Sequence, residues 1–345
     1  MQKCFFLVLC LLLIQTTAQA EPAFQAQAAF EFLPKKPLNR SLLGVNAFVN
    51  DSRFGSISAQ FREVKTVLGL KYVRVLFHWN DLIQSTPQAN PFFGFYDEIA
   101  SSLPSGVQAL VIINGLPTWM DDPKNWIDNN PRKTFAKLWL EKVVKRYANN
   151  KKIKAFQVWN EPNMIANRHN ITLDVADNPE NYVELVALAQ NIIKTNAPTK
   201  KVVTAATTAI NQNYPESLNY NKAMKEAGIE SLIDFWAIHI YSMRLENFIR
   251  PDNVTDFIKS LGKPVWVTES GEQGVNNQKN YAQQMWPFLF STFPQIKRLY
   301  IYQFTDATSS NASYGLRTFA NKLLLSDLYI YLRSLNPKAS ANKKR

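Results

Sequence analysis

The stretch Phe156-Gln157-Val158-Trp159-Asn160-Glu161-Pro162-Asn163-Met164 decides how the rest of this chain is interpreted. It begins as an apolar β-strand and ends in a polar cluster closed by a proline. Pro162 cannot donate to a sheet ladder and restricts Glu161 before it, so the strand is predicted to end there. An Asn-Glu pair then stands at the carboxyl end of a buried strand, where α/β proteins hold their reactive groups. A plain junction of strand and surface loop uses the same residue types, so the assignment depends on a partner for Glu161.

Outward from this stretch, eight short apolar runs alternate with amphipathic segments. This alternation predicts an α/β fold, a (β/α)8 or TIM barrel, as a single domain over residues 41–337. A doubly wound parallel sheet is the alternative, but the glycine-rich turn that usually follows its first strand is missing, since Gly44 stands alone there. The eight predicted strands are Leu42–Phe48, Tyr72–Trp79, Val107–Asn114, Ile153–Asn160, Lys201–Thr208, Phe235–Tyr241, Pro264–Glu269 and Arg298–Phe304.

The segments between the strands carry apolar residues at helical spacing. Ile57, Phe61 and Val64 recur in this way after the first strand, and Pro131 suits the first position of a helix. The predicted helices are Ser56–Leu68, Pro91–Leu103, Pro131–Ala148, Pro179–Thr195, Glu216–Ala227, Asp252–Leu261, Tyr281–Phe293 and Asn321–Leu335.

The first 20 residues have the pattern of a secretory signal peptide. Lys3 precedes an apolar run from Phe5 to Ile14, and an Ala-x-Ala site ends at Ala20. Residues 21–40 are interpreted as an arm and residues 338–345 as a basic tail. Both cysteines, Cys4 and Cys10, lie in the signal, so the exported protein would lack disulfides and thiol nucleophiles. Export to the periplasm or the medium is expected, and no later run is long enough to cross a bilayer.

The formal net charge is +12, or +11 without Lys3. Scattered lysines of this kind usually cover solvated helix ends and loops, although a basic surplus also favours anionic partners such as an acidic exopolysaccharide. A nucleic-acid partner is not expected, because no basic-aromatic motif is present. The three histidines have no ligand spacing and no phosphate loop occurs, so neither a metal nor an organic cofactor is predicted. A monomer is expected.

A second carboxylate supplies the partner that Glu161 needs. Pro264–Glu269 is a short β run that ends in a glutamate, on the seventh predicted strand, and Gly271 permits the turn after it. The fourth and seventh strands lie almost opposite each other in a barrel, so the two carboxylates can flank a bond between them. Cleavage of a glycosidic bond needs such a pair, one as proton donor and one as nucleophile or base.

The stretches Trp159–Asn163, Ala237–Tyr241 and Trp266–Gly271 resemble the retaining glycoside hydrolases of clan A, and within the clan family 39 and related bacterial family 5 proteins. The resemblance covers nearly the whole exported chain. It implies a (β/α)8 enzyme in which Glu161 is the acid/base and Glu269 the nucleophile. Family 39 members often carry His-Pro-Tyr after strand six, where this chain has Ile240 in the middle.

The resemblance also implies substrate-binding roles. Asn160 corresponds to the ligand of the sugar 2-hydroxyl, and Arg74 to the strand-two arginine that keeps the nucleophile ionised. Trp266 is expected to point outward, because strand alternation gives the inward positions to Val265, Val267 and Glu269. Packing in the core is the alternative for the further candidates, which are His239, Tyr241, His78, Trp79, Trp119 and Tyr302.

These features predict a retaining glycoside hydrolase that cleaves β-linked oligo- or polysaccharides. The alternatives are a non-catalytic carbohydrate-binding protein on the same scaffold and a metal-dependent barrel hydrolase. The sugar stays open between a β-xyloside, a β-glucoside, a uronide and an internally cut exopolysaccharide, because loops that sequence patterns do not resolve decide it.

Overall fold

The computed structural model describes residues 35–319 and 322–336. The predicted signal peptide with both cysteines, most of the predicted arm and the basic tail lie outside these residues. The described end of the arm runs along the barrel, where the Lys36 backbone N–H donates to the Gln283 carbonyl at 3.0 Å.

Eight parallel strands form one sheet in the order β5-β4-β3-β2-β1-β8-β7-β6. A parallel bridge between Val203 and Phe235 joins the two ends of this order, so the sheet closes into the predicted barrel. The eight strands were all predicted, and the largest trimming is in β5, which keeps only its first three residues. The strands are β1 (Leu43–Asn46), β2 (Tyr72–His78), β3 (Gln108–Asn114), β4 (Ile153–Val158), β5 (Lys201–Val203), β6 (Trp236–Tyr241), β7 (Val265–Gly271) and β8 (Ile296–Ile301).

Helices follow the strands and cover the outside of the barrel with a continuous apolar layer. A π-helical turn, Ala136–Leu140, lies within the predicted third helix. Within the described residues, no helix is both long enough and apolar enough to cross a membrane. The helices are α1 (Ile57–Thr66), α2 (Gly94–Ser102), α3 (Pro131–Phe135), α4 (Glu141–Tyr147), α5 (Arg168–Thr172), α6 (Pro179–Asn196), α7 (Glu216–Glu226), α8 (Glu246–Ile249), α9 (Val254–Lys259), α10 (Gln278–Thr292) and α11 (Asp327–Ser334).

The predicted last helix, Asn321–Leu335, is wrong over its first part. Leu323–Leu325 forms a short strand, β11, which pairs antiparallel with Arg317–Phe319, β10. Helix α11 begins only after Ser326, whose hydroxyl accepts a hydrogen bond from the Tyr329 backbone N–H and so caps the helix. The third strand of this small sheet is β9 (Thr305–Asp306).

The lower half of the barrel interior is filled by side chains from several strands. The Trp266 ring packs there on the Phe235 ring, with centroids 4.2 Å apart, and the Arg298 guanidinium lies 4.4 Å from the Trp266 ring centre. Gly44 gives room for the Tyr300 ring, because a Cβ at this position would lie 2.6 Å from a ring carbon. This cluster closes the floor of the barrel.

The prediction that Trp266 points outward is therefore wrong, and the reason is a β-bulge. Along β6 and β7, Ile238 pairs with Val267 but the next residue, His239, pairs with Glu269. Thr268 is the extra residue, and it shifts the alternation of side chains by one position. As a result Trp266 and Glu269, three residues apart, both face the barrel interior.

Candidate active site

A cavity of about 290 Å³ opens at the carboxyl ends of the strands, above the floor of the barrel. We call it the central cavity. Both glutamates singled out in the sequence line it, although they lie on β7 and beyond β4. Its lining residues are Phe48, Arg74, Leu76, Ile112, Asn114, Asn160, Glu161, Tyr241, Glu269 and Tyr302.

The segment after β4 holds Glu161 in an unusual backbone conformation. Trp159 has φ 74° and Glu161 has φ 44°, values in the left-handed region that non-glycine residues rarely adopt. Each such residue costs about 1–3 kcal/mol, so the surrounding structure must hold it in place. Two backbone hydrogen bonds to neighbouring strand segments do so, from the Trp159 N–H to the Ile113 carbonyl at 3.0 Å and from the Glu161 N–H to the Ala206 carbonyl at 2.8 Å.

The buried side chain of Asn170 reinforces this segment from below. Its amide nitrogen donates to the Glu161 carbonyl at 2.8 Å and to the Met164 carbonyl at 3.0 Å. Its amide oxygen accepts from the Trp159 indole at 2.8 Å. One side chain therefore fixes both left-handed residues, and the carboxylate of Glu161 is presented from a rigid support.

Glu269 lies deeper than Glu161. Its side chain is 9% exposed, whereas that of Glu161 is 20% exposed. Arg74 Nη1 donates to Glu269 Oε1 at 2.6 Å, and the Tyr241 hydroxyl donates to Oε2 at 2.5 Å. Both carboxylate oxygens are thus held by donors, while Glu161 stays accessible to water.

These contacts keep Glu269 ionised. Burial by itself raises the pKa of the Glu269 carboxyl, but the charges of His239 and Arg74 and the hydrogen bonds from Tyr241 and Arg74 outweigh burial, and the pKa lies below its ordinary value. Burial and the negative charge of Glu269 raise the pKa of Tyr241, so its hydroxyl keeps the proton that it donates. The site therefore contains a buried carboxylate that is ionised at neutral pH.

Arg74 is fully buried and every guanidinium nitrogen has an acceptor. Besides Glu269, it donates from Nη1 to Asn46 at 2.7 Å, from Nε to Gln157 at 2.8 Å and from Nη2 to Asn160 at 2.8 Å. Asn46 and Gln157 were not assigned from the sequence. The available signal was one buried amide residue in each of two mainly apolar strands.

The contact with Arg74 also orients Asn160. Arginine can only donate, so the Asn160 atom 2.8 Å from Arg74 Nη2 is the amide oxygen. The amide nitrogen then lies on the other side of the group. Because Asn160 lines the central cavity, this nitrogen is available to donate to a hydroxyl of a bound molecule.

The two carboxylates are close together, with one imidazole between them. One oxygen of Glu161, one oxygen of Glu269 and a ring nitrogen of His239 lie within 4.8 Å of one another. His239 Nδ1 is 3.0 Å from Glu161 Oε1, and Nε2 is 3.5 Å from Glu269 Oε1. His239 therefore faces both carboxylates at once rather than packing in the core.

Within the described residues, Glu161, His239 and Glu269 are also a group whose spacing suits a metal ion. Two contacts oppose a cation at this position. The Arg74 guanidinium lies 2.6 Å from Glu269, and the Tyr241 hydroxyl engages the second oxygen. A permanent positive charge at that distance repels a second cation, so we assign the group no resident metal.

Aromatic side chains form one wall of the central cavity. The Tyr302 ring packs edge-on against Tyr241, Tyr314 and Phe48, with centroid distances of 5.7, 5.8 and 6.1 Å. Tyr302 lines the cavity, as expected from its position after the last strand, whereas Phe304 is fully buried. Tyr314, which comes from the loop between β9 and β10 of the small sheet, had no signal in the sequence.

The remaining candidates lie away from the central cavity. Trp79 has no exposed surface and stacks on Trp139, so it belongs to the core. Trp119 packs edge-on against Trp79, its indole donates to the Gln84 carbonyl at 2.9 Å, and it does not line the cavity. His78 bonds to Asn114 at 3.2 Å and lines a neighbouring groove. A direct substrate contact by Trp119 or His78 stays a prediction.

Replacing Arg74 with Met should raise the pKa of Glu269, because the nearest positive charge is lost while burial remains. The acid limb of the kcat/KM profile should then move to higher pH. The free energy of unfolding should also fall by about 3–5 kcal/mol at pH 7, since a buried carboxylate is left without its charged partner. A carboxyl group whose pKa is lowered by folding stabilises the folded state at pH values above its pKa in the unfolded chain. This stabilisation is lost as the pH falls through the pKa of the folded protein, so the stability difference between Arg74→Met and the wild type should narrow in acid.

Denaturant unfolding at a series of pH values measures the loss of folding stability. Profiles of kcat/KM against pH measure the position of the acid limb. Arg62→Met, on the exposed face of α1, is the matched control and should change neither. An acid limb that does not move in Arg74→Met would contradict the role given to Arg74.

Comparison with known proteins agrees with this geometry. Residues 125–324, which include both glutamates, match the family model described as glycosyl hydrolase catalytic core. None of the curated proteins compared with the chain matches it.

Solved structures show the same fold at low sequence identity. A GH39 enzyme from Xanthomonas axonopodis pv. citri is 17% identical over 87% of this chain and 67% of that one, with a TM-score of 0.59. A GH39 β-xylosidase from Caulobacter crescentus is 16% identical over 88% and 72%, with a TM-score of 0.60. A family 1 β-glucosidase from Thermotoga maritima is 15% identical over 89% and 99%, with a TM-score of 0.61. Because the family model matches more than half of the chain, the chain belongs to the glycosyl hydrolase catalytic core family and is a glycosidase.

Proposed function

We propose that the protein hydrolyses β-linked glycosides with retention of configuration, by double displacement. The observation that carries the proposal is the separation of the two carboxylates, an oxygen of each lying within 4.8 Å of the other. Retaining glycosidases hold their carboxyl groups about 5–5.5 Å apart, whereas inverting enzymes leave about 6.5–9.5 Å to admit a water molecule. The spacing supports direct attack by one carboxylate.

In the first step, an oxygen of Glu269 attacks the anomeric carbon while Glu161 transfers its proton to the departing glycosidic oxygen. The bond to the leaving group breaks and an ester bond between the sugar and Glu269 forms. Arg74 and Tyr241 hold the nucleophile ionised and oriented until then. The Asn160 amide nitrogen is placed to bind the sugar 2-hydroxyl, a contact that can strengthen in the transition state.

In the second step, Glu161, now a carboxylate, takes a proton from water, and the water oxygen displaces Glu269 from the anomeric carbon. The 20% exposure of Glu161 lets water reach it. His239 Nδ1 lies 3.0 Å from Glu161 Oε1, which leaves Oε2 to carry the proton that is transferred in each step. The imidazole thus positions the group that moves the proton.

We infer further that the chain acts on a β-xyloside or a β-glucoside. The β-xylosidase and the β-glucosidase that share its fold support testing these sugars first. The net charge of +12 supports an acidic exopolysaccharide as an alternative, but the cation among the described lining residues, Arg74, already pairs with Glu269. Action as a monomer and export by the signal peptide to the periplasm or the medium complete the proposal.

Proton NMR of the first product tests the mechanism. With p-nitrophenyl β-D-xyloside and β-D-glucoside, the β-anomer of the free sugar should form first and then mutarotate. Initial formation of the α-anomer would overturn the retaining assignment. Binding on a broad glycan panel without product release would favour a carbohydrate-binding role, and full inhibition by EDTA would favour a metal-dependent hydrolase.

A further inference from the structure

A second, larger hollow adjoins the central cavity on the side of β1 and β2. It encloses about 660 Å³, and we call it the apolar groove. Its walls are mainly aliphatic and aromatic, and none of its described lining residues carries a fixed charge. The lining residues are Ala47, Phe48, Asn50, Leu76, His78, Asn80, Leu82, Ile83, Phe92, Phe95, Tyr96 and Ile99.

Two large apolar side chains at the groove are exposed to an unusual degree. Leu82 is 89% exposed and Phe92 is 66% exposed. The Phe92 ring lies over Gly94, where an added Cβ would come within 2.5 Å of a ring carbon, so one face of the ring is supported and the other is open. Apolar surface left exposed beside a cavity is a common mark of a binding site.

The segment that carries these residues is held in place by hydrogen bonds. The Asn80 side chain accepts from the backbone N–H groups of Leu82 and Ile83 at 3.0 and 3.1 Å. The Phe92 backbone N–H donates to the Ile83 carbonyl at 2.8 Å. The groove is therefore formed before any ligand binds, and exposure of its walls is not a sign of a loose loop.

Three of the four polar side chains among the described lining residues bond within the protein, and the fourth, Asn50, is exposed. Asn80 caps its own loop, His78 bonds to Asn114, and the Tyr96 hydroxyl donates to the His78 carbonyl. A sugar ring in this groove would find few partners for its hydroxyl groups, and each unpaired hydroxyl would lose its bonds to water. An aliphatic or aryl group has no such cost.

The groove and the central cavity are neighbours, because Phe48 and Leu76 line both. A molecule with its sugar beside the two glutamates would reach the groove by passing these two side chains. We propose that the apolar groove binds an apolar substituent, an alkyl, acyl or aryl group, carried by the glycoside substrate. This proposal rests on the proposed glycosidase function and adds the chemical class of the substrate.

Isothermal titration calorimetry with methyl, butyl and octyl β-D-xylosides and β-D-glucosides tests the proposal. The full chain carrying Glu161→Gln keeps alkyl glycosides intact, because an alkoxide leaving group needs the acid. Octyl glycosides should bind about tenfold or more tighter than methyl glycosides, since each buried methylene contributes up to about fourfold. Leu82→Ser and Phe92→Ser should reduce the ratio of the octyl glycoside affinity to the methyl glycoside affinity toward one. Ile249→Ser, at a 60% exposed isoleucine on α8, should leave this ratio unchanged.

Equal affinities for methyl and octyl glycosides, in a protein that hydrolyses p-nitrophenyl glycosides, would overturn the groove proposal and leave the function standing. Binding that tightens with chain length, without hydrolysis of any glycoside, would keep the groove and overturn the function. Methyl xylobioside and methyl cellobioside form a further arm. If these disaccharides bind tighter than the methyl monosaccharides by as much as the octyl glycosides do, and Phe92→Ser removes this gain in affinity, the groove is a sugar subsite and the proposal fails.

Discussion

Glu269→Ala is expected to lower kcat by about 10⁴- to 10⁶-fold, because removal of a nucleophile that forms the covalent intermediate removes the whole first step. Sodium azide should then restore turnover of an activated β-glycoside, since the small anion fits the space left by the carboxylate. The product should be the α-glycosyl azide, which proton NMR identifies. Near-normal activity in this variant, or a β-azide product, would end the assignment of Glu269 as nucleophile.

Controls are needed because the same change leaves Arg74 buried without its anion, which costs about 3–5 kcal/mol of folding stability. Glu269→Gln keeps an oxygen that can accept from Arg74 and should be as inactive but more stable. Glu272→Ala removes a carboxylate three residues further along, outside the described lining of the central cavity, and should keep wild-type activity. Thermal unfolding of all three separates lost chemistry from lost structure.

Glu161→Ala should affect substrates according to their leaving groups. Alkyl glycosides, whose leaving oxygen needs a proton, should lose about 10²- to 10⁴-fold in kcat/KM, the usual contribution of a positioned acid. 2,4-Dinitrophenyl glycosides, which depart without a proton, should lose far less in the same parameter. Steady-state kinetics on an aryl glycoside series gives the slope of log kcat/KM against leaving-group pKa, which should steepen in the variant.

A slope equal to that of the wild type would contradict the acid role of Glu161. Glu226→Ala, at an exposed glutamate at the end of α7, is the control for loss of a carboxylate as such. Azide provides a second readout, because in Glu161→Ala it attacks the glycosyl-enzyme without needing a base. The expected product is then the β-glycosyl azide, opposite in configuration to that of Glu269→Ala.

The barrel and both glutamates were predicted from the sequence because they depend on short-range patterns. Eight apolar runs separated by amphipathic stretches are enough for the topology, and a proline directly after Glu161 marks the end of its strand. Arg74 was found by resemblance, and its contact with Glu269 at 2.6 Å agrees with the expected role. Contacts that depend on the neighbour across the barrel, such as those of Asn46 and Gln157 with Arg74, have no local pattern.

The errors have a common physical origin. Alternation in a strand predicts the face of a side chain only while the strand stays regular, and the bulge at Thr268 breaks it for Trp266. Leu323–Leu325 has the composition of a helix, yet the neighbouring β10 offers it backbone partners, and tertiary pairing decides the conformation of so short a run. The expectation of a sugar contact at Trp79 overlooked how much aromatic surface the outer layer of the barrel itself buries.

The bulge in β7 has a consequence for the comparison of related sequences. Thr268 is an extra residue in β7 that has no partner on β6. Because of it, Trp266 at the floor and Glu269 at the opening face the same side although they are three residues apart. A relative that keeps the same three-residue spacing needs a bulge too, because a regular strand would turn its glutamate toward the helices. A relative that lacks the residue at the position of Thr268 would keep both side chains inside without a bulge. In alignments of this strand, a one-residue gap at Thr268 is therefore compatible with a competent site.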